Sequence, residues 1–146
     1  MSELNLVIAP ATEADIPAMM ALENACFSDP WTEGAMRSTF DIPVTRILVA
    51  RLAGEVVGFA IAYLIPPEGE IADICVSPAM RGKGIGGLLL NGLIADSHCS
   101  QFWLEVRLSN LAAQRLYVKT GFQILGVRKN YYDHPKEDAI VMGLTL

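Results

Sequence analysis

Glu105 is a carboxylate inside an otherwise apolar run, Gln101–Arg107 (QFWLEVR). Strand alternation would put Phe102, Leu104 and Val106 on one side and Trp103, Glu105 and Arg107 on the other. A strand in the middle of a covered sheet should be apolar on both sides, so the carboxylate is conspicuous. Partly out of water, a glutamate binds a proton more readily and can take one from a reacting group, directly or through one water. The plain alternative is an ion pair with Arg107 or with a helix lysine. Tyr117 stands in the next helical stretch, and its phenol can give a proton to a departing group. There the plain alternative is a core tyrosine packed beside Leu116.

A second chemical feature is Arg81–Gly87, which reads RGKGIGG. Four glycines, Gly82, Gly84, Gly86 and Gly87, leave few Cβ atoms, so backbone N–H groups can approach an anion. A helix starting near Gly84 adds its dipole and its unpaired donors, which suits phosphate. Arg81 and Lys83 add positive charge. A flexible connector is the bland reading. A dinucleotide fingerprint is the sharper rival, because Gly82, Gly84 and Gly87 satisfy G-x-G-x-x-G and Glu105 follows at a fitting distance. The context is against it: Ser77–Arg81 intervenes after the strand, and Glu105 does not end its own strand.

The elements that must hold these groups alternate. Leu4–Ala9 reads as a strand. Thr12 with Asp15 makes a capping box that opens a helix to about Phe27. Asp29-Pro30 breaks it, and a short helix follows over Thr32–Phe40. Thr45–Leu52 and Glu55–Ile65 form a hairpin through Ala53-Gly54. Pro66-Pro67 and Gly69 turn the chain into a strand over Glu70–Val76. Ile85, Leu88, Leu89, Leu93 and Ile94 recur at helical spacing. Gln101–Arg107 is a strand, and Asn110–Thr120 a helix stopped by Gly121. Phe122–Tyr131 and Asp138–Leu144 close the sheet around Asp133–Lys136. The order β-α-α-β-β-β-α-β-α-β-β predicts an α/β (α+β) fold, a mixed sheet with helices on both faces. Glu70–Val76 and Gln101–Arg107 flank a helix and should run parallel.

The 146 residues predict one domain over 1–146, and 52% are hydrophobic, enough for a core. A net charge of −5 with no basic cluster speaks against nucleic acid and suits a cationic partner. Cys26, Cys75 and Cys99 fit no zinc spacing, so no metal is expected. No signal peptide or membrane-length apolar run is seen, which predicts a reducing cytoplasmic setting and no membrane contact.

Arg81-Gly82-Lys83-Gly84-Ile85-Gly86 resembles the (Q/R)-x-x-G-x-(G/A) motif of the GCN5-related N-acetyltransferases, the GNAT family. The element order resembles that fold over essentially the whole chain. The resemblance implies that Arg81, Gly82, Lys83, Gly84, Ile85, Gly86 and Gly87 bind the pyrophosphate of acetyl-CoA. It also implies that Ile74, Cys75 and Val76 hydrogen-bond the pantetheine and acetyl carbonyl, and that Asn110 contacts the coenzyme. Cys75 stands where a small apolar residue would serve, a mild change.

The chain is further similar to the ribosomal-protein alanine N-acetyltransferase branch. That likeness is carried by Pro30-Trp31, Trp103–Arg107, Ser109-Asn110, Leu116-Tyr117, Gly121-Phe122, Asn130–Tyr132 and Glu137–Ile140. It implies Glu105 as base, Tyr117 as acid, and the N-terminal alanine of the eighteenth small-subunit ribosomal protein as acceptor. An α-amine has a pKa near ~8 and must lose a proton before it attacks a thioester. The leaving thiol has a pKa near ~8.5. Direct transfer in a ternary complex is favoured over an acyl-cysteine on Cys75, since neither His98 nor His134 lies near it in sequence. Three other readings remain open: a small amine as acceptor, a lysine side chain, or a non-catalytic coenzyme-A-binding module. Trp31 would line the acceptor groove or make an ordinary hydrophobic contact. Of Tyr131 and Tyr132, at most one should face the site. Asp73, Glu137 and Asp138 could attract a basic peptide, but solvated surface carboxylates are the default reading. A monomer or weak dimer is expected.

Overall fold

The computed structural model describes residues 5–146. The chain runs through β1 (Leu6–Pro10), α1 (Ile16–Cys26), α2 (Glu33–Thr39), β2 (Thr45–Leu52), β3 (Glu55–Ile65) and β4 (Glu68–Val76). It continues through α3 (Ile85–Ile94), β5 (Gln101–Arg107), α4 (Leu111–Thr120), β6 (Gln123–Tyr132) and β7 (Glu137–Thr145). The sheet order is β1-β2-β3-β4-β5-β7-β6, and among the described residues only β4 and β5 run parallel. Strands and helices follow each other as the sequence predicts, with 3₁₀ turns added at Glu13–Asp15 and Pro78–Met80. The expected start of the first strand, Leu4, lies outside the described residues.

Alternation along the central strands builds two cores. Phe59 and Ile61 of β3 point to α1 and α2, where Ile16, Met19 and Met36 are fully buried. Ala60 and Ala62 point the other way, to Leu89, Leu90 and Leu93 of α3. Small residues on that side let α3 lie close: a Cβ on Gly92 would sit 2.8 Å from Leu48 Cδ1. Each of the three buried leucines contributes about 1.5–3 kcal/mol. At the far end of α3, the Arg46 guanidinium donates to the carbonyls of Gly92, Leu93 and Ala95 at 3.2, 3.1 and 2.6 Å. These are carbonyls that a helix C-terminus leaves unpaired.

Two expectations change. The box at Thr12 opens a 3₁₀ turn rather than the helix itself, and α1 starts only at Ile16. Pro17 lies in its first turn, where a missing N–H costs nothing. Gly69 is not in the turn but inside β4, opposite Phe102. A Cβ there would meet the Phe102 ring at 2.6 Å. Gly69→Ala should therefore cost about 1–3 kcal/mol, because a buried ring must shift. Urea unfolding checks this.

Asp15 is buried and accepts from Arg51 Nη1 and Nη2 at 2.9 and 3.0 Å, and from the Thr12 N–H at 2.9 Å. Burial alone would raise its pKa, but these donors outweigh burial and hold it below the usual carboxylate range. A depressed pKa gives stability that is present above the unfolded value, ~3.9, and is lost as pH falls through the folded one. Asp15→Ala should cost about 2 kcal/mol near neutral pH. The gap to wild type should close as pH drops below about 4, read from thermal unfolding across pH.

Candidate active site

β4 and β5 pair only where Glu68–Glu70 meet Gln101–Trp103. Ala72 is then an extra residue on β4, between the partners Ile71↔Ala62 and Asp73↔Ile61. A bulge sharpens the local twist, and it falls where the pairing stops. Beyond it β4 stays on β3, through Ile74↔Ala60 and Val76↔Gly58, while β5 follows β7 along its whole length. The edge of Ile74–Val76 turned toward β5 therefore carries no strand. A cavity of about 170 Å³ fills this gap.

The gap joins the two faces of the sheet. Glu105 comes from the β5 side opposite Phe102, Leu104 and Val106, and those three belong to the core under α3 and α4. Tyr117 comes from α4 and is only 5% exposed within that same core. Both line the cavity, together with Ile74, Asn110 and Trp31. The predicted acid and base thus approach one space from opposite layers.

The Glu105 side chain is 11% exposed. Its ion-pair partner is neither Arg107 nor a helix lysine but Arg128 of β6, whose Nε lies against Oε2 without hydrogen-bond alignment. The Tyr131 hydroxyl sits beside the same carboxylate, which raises the Tyr131 pKa ahead of burial. Arg107 is used elsewhere. It donates to Glu137 Oε1 at 3.1 Å and to the Pro135 and Asp133 carbonyls at 2.9 Å each, and its guanidinium lies 4.4 Å above the Tyr132 ring. It clamps the β6–β7 turn, which the Ser28 hydroxyl also reaches through the His134 carbonyl at 3.2 Å. The α1–α2 loop and the β6–β7 turn are thereby joined beside the cavity.

Tyr132 lines the cavity and Tyr131 faces Glu105, so both tyrosines reach the site. The expectation of one assumed unbroken alternation. Between Arg128↔Ala139 and Tyr132↔Glu137 the β6 strand carries two residues more than β7, and Asn130 has φ +54°. Glu137 and Asp138 are not simply solvated either. Glu137 holds Arg107 and the Ser109 N–H, and Asp138 accepts the Asn130 N–H at 2.8 Å.

The glycine segment follows the open end of β4. Gly82 and Gly84 have φ +79° and +82°, which only glycine adopts freely. A Cβ on Gly82, Gly84 or Gly87 would meet nothing, so this surface is open to a ligand. Gly86 serves a different end: its Cβ would lie 3.0 Å from Leu116 Cδ2, so it lets α3 approach α4. The first intrahelical bond is Leu88 N–H to Gly84 O at 3.1 Å. The N–H groups of Ile85, Gly86 and Gly87 stand ahead of it, the usual unpaired donors of a helix start. Arg81 and Lys83 are exposed beside them. These donors, the open Cβ space and the bare β4 edge fit a pyrophosphate with an extended arm. Gly84→Val would force a β-branched residue into left-handed backbone, costing about 1–2 kcal/mol. Acetyl-CoA should then bind about tenfold more weakly by titration calorimetry.

Asn110 caps α4, with Oδ1 accepting the Ala113 N–H at 3.1 Å. Cys75 turns its side chain away from the gap. Its Sγ points to the Leu22 carbonyl of α1 at 3.3 Å, and a hydrogen bond to Cys26 together with burial pushes its pKa up. Cys26, which the sequence did not flag, links the two ends of the site: its Sγ lies 3.5 Å from both the Val76 carbonyl and Arg81 Nη2. A larger cavity of about 550 Å³ lies at the other end of α3. Its arginine, Arg46, is spent on helix carbonyls, and it holds none of the predicted site residues. Among the described residues no group of three His, Cys, Asp or Glu is placed to hold a metal ion, and no helix is long and apolar enough to cross a membrane.

The model of the acetyltransferase (GNAT) family matches residues 16–122. A putative [ribosomal protein bS18]-alanine N-acetyltransferase of Bacillus subtilis is 32% identical over 136 residues, 90% of each chain. The N-alpha-acetyltransferase RimI of Mycobacterium tuberculosis is 36% identical over 143 residues, 94% of this chain and 90% of its own. The crystal structure of the ribosomal-protein-S18-alanine N-acetyltransferase from Escherichia coli superposes with a TM-score of 0.88 at 32% identity, covering 96% of this chain and 93% of that one.

Proposed function

This chain belongs to the GNAT acetyltransferase family, and from that premise we propose that its acceptor is the N-terminal alanine amine of ribosomal protein S18. The family and these relatives make it an acetyl-CoA-dependent N-acetyltransferase. The acceptor follows the names of relatives aligned over nearly the full chain. One observation carries the site reading: the parted strands bring Glu105 and Tyr117 together at the bare edge of β4.

The α3 N-terminus and Arg81–Gly87 hold the pyrophosphate, and Asn110 supports the coenzyme. The Ile74–Val76 edge takes the place of a missing strand for the pantetheine arm. The acceptor enters between the α1–α2 loop and the β6–β7 turn, past Trp31 and Tyr132. Glu105 takes a proton from the ammonium, directly or through one water, which frees the nitrogen lone pair to attack the acetyl carbon. A backbone N–H near Val76 stabilises the charge that builds on the acetyl oxygen. The carbon–sulfur bond breaks as the Tyr117 hydroxyl gives its proton to the sulfur, and the second proton of the attacking nitrogen passes back to the Tyr117 oxygen, so the amide and the coenzyme A thiol leave neutral. Transfer is direct, since the Cys75 thiol faces α1 rather than the gap.

Acetylation of an alanine-starting S18 peptide, the same peptide with a blocked α-amine, a lysine peptide and a small amine tests the acceptor. The reading expects kcat/KM for the first to exceed the others by about a hundredfold or more. Equal or greater activity on lysine or the small amine would replace it.

A further inference from the structure

Two carboxyls in the cavity have no part in the steps above. Glu23 of α1 and Asp73 of β4 line it together with Glu105. Glu23 is only 2% exposed, although it sits in a helix whose neighbouring residues Asn24 and Ala25 are open to solvent. Its Oε2 accepts the Trp31 N–H at 3.0 Å. Its Oε1 and Asp73 Oδ2 are both buried without a donor among the described residues. The two carboxyls face each other, and the proximity of Glu23 is one of the causes that disfavour the charged form of Asp73. Burial first, then Glu23, holds the Asp73 carboxyl well above its ordinary range.

Two carboxyls buried against each other concentrate negative charge and acceptor oxygens at one wall of the cavity. Among the described residues that charge has no free cation to meet. Arg107 is the cation lining the cavity, and it is committed to Glu137 and the β6–β7 turn. Arg128 is committed to Glu105. A buried charge with unpaired oxygens is costly until a partner arrives. The complementary partner is a small cation with several N–H donors, and a primary ammonium has three.

We propose that Glu23 and Asp73 form the seat on which the acceptor's ammonium docks, and so select a primary amine that arrives charged. The inference rests on the acceptor being an N-terminal amine. The ammonium spans the cavity, with N–H groups directed to the carboxyl pair and to Glu105. Glu105 then takes one proton, leaving a neutral amine and a neutral Glu105 carboxyl. The pair positions the nitrogen and is not the base.

The test uses the dead-end complex of the protein with coenzyme A. Binding of an alanine-starting peptide is compared with that of its des-amino analogue, in which hydrogen replaces the α-amine. Wild type should prefer the amine by roughly tenfold or more, as expected for hydrogen bonds to a charged group. In the double variant Glu23→Gln, Asp73→Asn the preference should collapse to within about twofold. The amide oxygen that Glu23→Gln leaves in place can still accept the Trp31 N–H, so the local hydrogen bond survives while the charge is lost. A merely structural role would weaken both peptides alike. Equal binding of the two peptides by wild type overturns the proposal without any variant. A preference that persists in the double variant but vanishes in Glu105→Gln also overturns it, since Glu105 would then be the seat. Failure of the acceptor reading shows separately, as no acetylation of any N-terminal peptide by wild type.

Discussion

Glu105→Gln should lower kcat at neutral pH by two to three orders of magnitude, roughly what a positioned base contributes. Binding of acetyl-CoA should stay within about twofold of wild type. The substitution keeps size and shape in a side chain that is largely enclosed. It removes one ion-pair partner of Arg128, whose side chain is 57% exposed and can be solvated instead. The pair has one exposed partner and no hydrogen-bond alignment, so its loss costs little and the fold should survive. The deficit should be pH-dependent in a defined direction. Below the amine pKa, near ~8, the acceptor is ammonium and needs a base. Above it the amine is already free, so variant and wild-type rates should converge as pH rises. A deficit that stays constant from pH 7 to well above 8 would mean that Glu105 acts by position or charge alone.

Tyr117→Phe should reduce kcat about tenfold to a hundredfold, with acetyl-CoA and peptide affinities little changed. The ring stays where it is, tilted 58° against Phe122 at 5.7 Å between centroids, so packing is preserved and only the hydroxyl goes. Burial first, and the charge of Asp73 next, raise the Tyr117 pKa well above that of an ordinary phenol. The phenol therefore keeps its proton at any working pH, and shares it with the departing sulfur more readily than it surrenders it. The expected signature is a dependence on the leaving group. A thioester of a more acidic thiol needs less help, so the variant's deficit should shrink with it. An equal deficit for both thioesters would make Tyr117 a packing residue.

The local elements were legible because local chemistry settles them. The β2–β3 hairpin and β5 begin and end where β-branched content and alternation put them. Gly121 stops α4 at φ +113°, as a C-terminal glycine should. Glu105 could be singled out because a charge in an apolar strand breaks a period of two.

What escaped the sequence was set by distant partners. Nothing in Glu68–Val76 or Gln101–Arg107 announces that the strands separate after three pairs; the bulge at Ala72 is visible only against β3. Asp73 looked like a surface acid because its neighbour Glu23 lies on α1, fifty positions earlier in the chain. Arg128 and Tyr131 meet Glu105 through irregular pairing of β6, which no periodicity could have foretold. The elements were thus readable one by one, while the acceptor side of the site was not, because it is made of contacts between loops and strands far apart in sequence.

The most direct measurement offers the purified protein acetyl-CoA and the unmodified proteins of the small ribosomal subunit together, then locates the product by tandem mass spectrometry. The account predicts a single acetyl group on the α-amine of S18's N-terminal alanine, absent with Glu105→Gln on the same timescale. Acetyl groups confined to lysines or to other proteins, or the same S18 product at the same rate from the Glu105 variant, would contradict it.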